Sequence, residues 1–119
     1  MKTVLITSLL TLTIFVIACK KKNTPTTFDC SGVVSTYITN VKPLMDAHCA
    51  TSGCHSTSQK AGGKDLSTYT GTKTAAGNNS FLGSIEHLSG YTSMPEGAAK
   101  LSDADIKTIA CWVQNGMPQ

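Results

Sequence analysis

Two thiols and an imidazole fall within seven consecutive residues, Cys49-Ala50-Thr51-Ser52-Gly53-Cys54-His55. This run constrains the chain more than any periodicity does. Groups so close in sequence can act together on one bound partner, and the fold must then leave room beside them. Ser52 and Gly53 are small and turn-prone, so the residues between the cysteines can loop out without moving the Cys54-His55 pair.

What remains to build a core is limited. Hydrophobic residues make up 40% of the 119, yet twelve of them lie in positions 1–18. The part left to fold, about 100 residues, is small enough that a staple or a bound cofactor contributes materially. It has room for one domain, and no internal repeat divides it.

Positions 1–18 have the make-up of a secretory signal: Met1 and Lys2 form a short basic start, and Val4 to Ala18 an apolar run too short for a spanning helix. Its end, Val16-Ile17-Ala18-Cys19, resembles the lipobox of bacterial lipoproteins. That resemblance implies cleavage before Cys19 and acylation of Cys19; the alternative is an uncleaved anchor with an incidental cysteine. Residues 19–29 are polar, with Lys20, Lys21 and Lys22 followed by Asn, Thr and Pro, and are expected to be a flexible tether to a domain spanning 30–119. Several acyl chains hold firmly, each buried methylene adding about 0.8 kcal/mol, and the three lysines add attraction to anionic headgroups.

The formal charge of +3 belongs to that leader and tether. From Cys30 onward six lysines (42, 60, 64, 73, 100, 107) face six acids (46, 65, 86, 96, 103, 105). A formally neutral domain argues against nucleic acid as a partner, since that recognition needs a basic patch.

The Cys-x4-Cys-His run resembles the haem-attachment motif of c-type cytochromes, with four residues between the cysteines where two are usual. The resemblance implies one haem c, covalently attached by thioethers from Cys49 and Cys54, with His55 held against the iron as proximal ligand. Three other readings compete: a zinc site from Cys49, Cys54, His55 and a further histidine, a Cys49–Cys54 disulfide that leaves His55 idle, and a chance Cys-His adjacency. With Cys19 acylated and two cysteines on haem, the same resemblance leaves Cys30 and Cys111 to form a disulfide, as an exported domain permits.

A haem iron in an electron carrier usually takes a sixth ligand, and the chain offers Met45, Met94, Met117, His48 and His87. Met94 stands out. It sits in a loop-like stretch, Gly90-Tyr91-Thr92-Ser93-Met94-Pro95-Glu96-Gly97, and Met-Pro shortly before a last helix resembles the distal-ligand loop of class I cytochromes c. Pro95 restricts the backbone of Met94 to extended conformations. An uncharged thioether favours reduced iron; the bland alternative is a methionine filling a core gap. His87, expected on a short helical stretch from Phe81 to Leu88, is the second choice.

Helices are expected around these residues. One runs from about Asn40, as N-cap, to His48, with Pro43 in its first turn and Val41, Leu44 and Met45 on one face. Val33, Val34, Tyr37 and Ile38 extend the apolar stripe upstream. A short helix near Thr68 to Ala76 is capped by Asp65 or Ser67, stopped at Gly77 to Asn79, and anchored by Leu66 and Tyr69. The last helix follows the Ser102/Asp105 capping pair, repeats Ile106, Ile109, Ala110 and Val113 at helical spacing, and stops at Gly116 and Pro118.

The order of these features, from about Tyr37 to Pro118, resembles the small monohaem cytochrome c domains of exported bacterial lipoproteins of the Bacteroidetes type. The resemblance implies an all-α, class I cytochrome c-like domain, with Trp112 near the crossing of the first and last helices and the stretch Ser56 to Ser80 wrapping one haem edge. It further implies a metal-binding monomer that carries single electrons between redox partner proteins and is not an enzyme. Its membrane contact would be the lipid anchor, most simply on the periplasmic side. An open sixth site, binding gas or peroxide, and a haem-free, disulfide-stapled lipoprotein are the alternatives.

Overall fold

The computed structural model describes residues 23–119; the signal segment, Cys19 and Lys20 to Lys22 lie outside the described residues. Among those described there are helices and no strands, so the domain is all-α. A π-helical turn, Tyr37–Val41, leads into α1 (Lys42–His48); α2 (Tyr69–Ala76), α3 (Asn79–Ile85) and α4 (Asp103–Gln114) follow.

The first helical segment begins four residues earlier than Asn40. Thr36 is its N-cap, its hydroxyl accepting from the Thr39 amide at 3.4 Å, while the Asn40 side chain turns back to accept from the Thr36 amide at 2.9 Å. Pro43 explains the wide turn. A proline has no N–H and its ring crowds the carbonyl four residues before it; here the amides of Val41 and Lys42 reach five residues back, to Thr36 and Tyr37. Val41 and Met45 are fully buried and Leu44 packs partly against the core, as expected of that face. The upstream stripe is not a common face: Tyr37 is buried, whereas Val34 and Ile38 point outward, 83% and 61% exposed.

The Tyr37 turn packs against α4, whose Ile106, Ile109, Ala110, Cys111 and Trp112 form the centre of the core. Ser102 caps α4 as expected, its Oγ accepting from the Asp105 amide at 3.1 Å and donating to the Asp105 carboxylate at 2.6 Å. After α4 the chain reverses at Gly116 and Met117, both at positive φ. This returns the tail across the aromatic cluster: Pro118 O accepts from the Tyr37 amide at 3.0 Å and from Trp112 Nε1 at 2.8 Å, and Met117 O from the Tyr69 hydroxyl at 2.9 Å.

Cys30 and Cys111 form a disulfide, closing a sequence separation of 81 residues. It ties the start of the domain to the middle of α4. Ahead of it, the Thr26 amide and hydroxyl bond the Glu86 carboxylate, at 3.0 and 2.6 Å to Oε2, and Phe28 lies against the core. A disulfide fits an oxidising, extracytoplasmic compartment, and no described helix is long and apolar enough to cross a membrane.

Candidate functional site

The cysteine-histidine run forms a loop of turns directly after α1, and its backbone is pinned by its own groups. Cys49 N–H donates to Met45 O at 2.9 Å, ending the helix, and His55 N–H donates back to Cys49 O at 3.0 Å, closing the loop around the five intervening residues. Leu66 N–H then donates to His55 O at 2.8 Å. The buried Leu66 therefore fixes the far side of His55 as α1 fixes the near side of Cys49.

The two thiols are free and differ in environment. Cys49 is buried and Cys54 exposed. Burial, with a smaller contribution from the charge of Cys54, pushes the Cys49 thiol up from 9.0 to about 11. Cys49 is thus a neutral thiol at ordinary pH, close to its partner.

His55 has a fixed ring direction. Its Nδ1 lies 3.3 Å from Lys64 O, a long contact. A carbonyl can only accept, so Nδ1 carries the proton and donates, which leaves Nε2 with a free lone pair. That is the tautomer an imidazole needs to ligate through Nε2, and a backbone carbonyl behind the ring is the usual second partner of a ligating histidine.

A cavity of about 1220 Å³ opens beside this loop. Cys49, Cys54 and His55 line one part of it, α2 and the segment before it another, and α3 with the 90–98 loop the rest, including Met94. Its volume exceeds the roughly 300–1,000 Å³ common for small-molecule sites, so it has room for a large ligand. Leu66, Phe81, Ile85 and Ala75 give it apolar lining, while Lys60, Lys64, Asp65 and Glu96 bring charge to it. Bonds from the Ser67 hydroxyl and amide hold the Asp65 carboxyl below the usual carboxylate range. Its side chain is therefore occupied beside α2, and Thr68, not Asp65 or Ser67, caps that helix, accepting from the Gly71 amide at 3.1 Å.

Met94 approaches from a different element. Its amide donates to Ser84 O in α3 at 3.0 Å, and its side chain is part-buried against the core. His87 lies beyond α3, which ends at Ile85 and not at Leu88, and it takes a positive φ of 53°. It is not among the cavity-lining residues. Its Nε2 is 3.0 Å from Met94 O, so that nitrogen also carries a proton and has no lone pair to give. His48, beside Cys49, does line the cavity.

One expectation is corrected. Among the described residues no three or more His, Cys, Asp or Glu side chains are grouped to hold a metal ion. The expected metal-binding role therefore finds no centre built from such side chains among the described residues, and the zinc reading of Cys49, Cys54 and His55 falls with it, because Met and backbone oxygens are poor substitutes for the missing charged or imidazole donors. A haem poses a different demand, since its porphyrin already provides four donors and asks the protein for two at most. Two thiols and an imidazole with a free Nε2 on one loop, and a thioether on another, all lining one large cavity, fit that demand. The chain matches no family model, no curated protein and no solved structure.

Proposed function

We propose that the chain is a membrane-tethered electron carrier with one haem c, folded in the manner of a class I cytochrome c. The observation that carries this reading is the single cavity lined by Cys49, Cys54 and His55 on one side and by Met94 on another. When bound, the haem supplies an iron that exchanges one electron without proton or group transfer.

The chain's residues do the rest. Cys49 and Cys54, both free thiols, would hold the ring edge through thioethers. His55, held through Nδ1 by the Lys64 carbonyl, would offer Nε2 to the iron, and Met94 would offer a soft thioether, which favours the reduced state. Leu66, Phe81 and Ile85 would give the ring apolar contacts, and a drier ring has a higher potential. With His55 and Met94 both holding the group, no position would be left at the iron for a substrate, and the protein would act as a carrier rather than an enzyme.

Acylation of Cys19 would hold the domain on the exported side of a membrane, most simply the periplasmic side. Six residues lie between Cys19 and the docked Thr26, so the seven steps would reach at most about 25 Å fully extended. The domain would work as a monomer close to the bilayer, meeting its redox partner proteins there.

The test is co-expression of the mature domain with a cytochrome c maturation system, followed by denaturing gels stained for haem and by optical spectra, with Met94→Ala alongside. Covalent haem whose axial sulfur signature is lost in Met94→Ala supports the reading. No covalent haem defeats it; haem with coordination unchanged in the variant defeats the role of Met94.

A further inference from the structure

We infer that His87 is a positioning residue that clamps Met94 as an axial ligand; the inference rests on the haem reading above. The Met94 peptide is gripped at both ends by one structural unit. Its N–H donates to Ser84 O at 3.0 Å and its C=O accepts from His87 Nε2 at 3.0 Å. Both partners come from α3 or the turn directly after it, three residues apart.

The chain is shaped to allow this grip. His87 sits at φ 53°, a left-handed backbone that a non-glycine residue adopts only where its surroundings require it. The amides of His87 and Leu88 fold back onto Ser84 O and Gly83 O, at 3.1 and 3.0 Å, so the turn is wound tightly against the end of α3. That winding turns the imidazole towards the 90–98 loop. On the same helix, buried Gly83 lets the Tyr91 ring lie against its backbone: a Cβ there would stand 2.7 Å from three ring atoms. The loop is thus seated at Tyr91 and latched at Met94.

A thioether bonds iron weakly and is easily displaced by a stronger donor when its loop can move. A latch on the ligand's own carbonyl acts where it restrains the side chain most directly, and it explains why a histidine outside the cavity occupies strained backbone. His87 is therefore a partner of the ligand and not its competitor.

The test uses the haem-loaded chain, with wild type, His87→Leu, His87→Gln and Met94→Ala. The optical sulfur signature is followed as imidazole is added, and exchange of the Met94 amide with deuterium is read by NMR in the reduced, diamagnetic state. In His87→Leu, we expect covalent haem to remain, imidazole to displace the sulfur at a roughly five- to tenfold lower concentration, and the Met94 amide to exchange faster by a similar factor, the worth of about one hydrogen bond. His87→Gln, whose amide can still donate, should recover much of both. Wild-type imidazole affinity and exchange in His87→Leu, with Met94→Ala altered, overturns the clamp alone. Equal losses in His87→Leu and His87→Gln also overturn it, as a packing effect. Absence of covalent haem, or Met94→Ala without spectral change, overturns the haem reading and the clamp together.

Discussion

The ring of Tyr37 stands 6.0 Å from that of Trp112, tilted by 41°, and this contact joins the first helical turn to α4. Tyr69 adds a second ring 5.3 Å from Tyr37. Trp112 and Tyr69 each satisfy their polar atom on the returning tail. The Tyr37 hydroxyl does not: among the described residues it is the one buried side-chain polar atom without a hydrogen-bond partner. Burying such a group costs about 1–3 kcal/mol. Tyr37→Phe should therefore leave stability unchanged or raise it by about 1 kcal/mol, roughly 4–8 °C in Tm for a domain this size. A loss of 1 kcal/mol or more in thermal or urea melts would mean that the hydroxyl has a partner.

The Cys30–Cys111 disulfide should contribute more than any one core contact. Closing 81 residues removes about 4–5 kcal/mol of unfolded-state freedom in the chain-entropy model, an upper-end figure. The double variant Cys30→Ala/Cys111→Ala should lose about 2–5 kcal/mol relative to the oxidised chain. Alanine is chosen because Cys111 is fully buried and serine would bury an unpaired hydroxyl. In the native chain both sulfurs should resist alkylation until a reductant is added; labelling of either without reduction contradicts the crosslink.

What the sequence made legible was what local rules govern. The α4 boundaries follow from the Ser102 cap and the Ile106–Ile109 spacing, both set within one or two turns of chain. The end of α2 at Gly77 was equally local. The early start at Thr36 was not, because a π-helical turn is favoured by neither composition nor period and depends on how Pro43 is accommodated. The exposure of Val34 and Ile38 beside buried Tyr37 depends on the tail: Pro118 O takes the Tyr37 amide and fixes which side of the turn faces inward. At the site, the cysteine-histidine run and Met94 could be picked out by residue type. The His55–Lys64 and His87–Met94 bonds could not, because each depends on a loop conformation that only tertiary packing selects. The left-handed backbone at His87 carries no residue-type signal comparable to a glycine.

Two glycines should respond oppositely to a single methyl group. A Cβ on Gly83 would overlap the Tyr91 ring, with three atoms at 2.7 Å, and Gly83 is buried within α3. Gly83→Ala should cost about 1–3 kcal/mol by overpacking. Gly77 has ordinary right-handed backbone, φ −66°, and its nearest neighbours would lie at 3.5 and 3.6 Å. Gly77→Ala should be neutral or stabilise by about 0.4–1 kcal/mol through the unfolded chain. Urea midpoints of the two variants measured side by side decide it; equal shifts would mean that the Tyr91 ring can yield.

The Cys49 thiol should give the haem-free chain a stability that falls in alkali. Its pKa is raised from 9.0 to about 11 in the fold, burial being the larger cause. The folded chain therefore holds this proton more tightly than the unfolded one, so its contribution is complete below about pH 9 and is lost as pH climbs towards 11. At about 1.4 kcal/mol per unit, the loss amounts to roughly 2–3 kcal/mol. Cys49→Ala has no such proton, so subtracting its stability from that of the wild type cancels the titration of every group not coupled to Cys49. Urea unfolding at pH 8 and pH 11, with the Cys30–Cys111 disulfide verified intact at both, should show the wild-type advantage over Cys49→Ala shrinking by that amount. The same burial should let iodoacetamide modify exposed Cys54 well before Cys49. An advantage that is constant across the two pH values, or labelling at equal rates, would place Cys49 in solvent and remove the asymmetry between the two thiols.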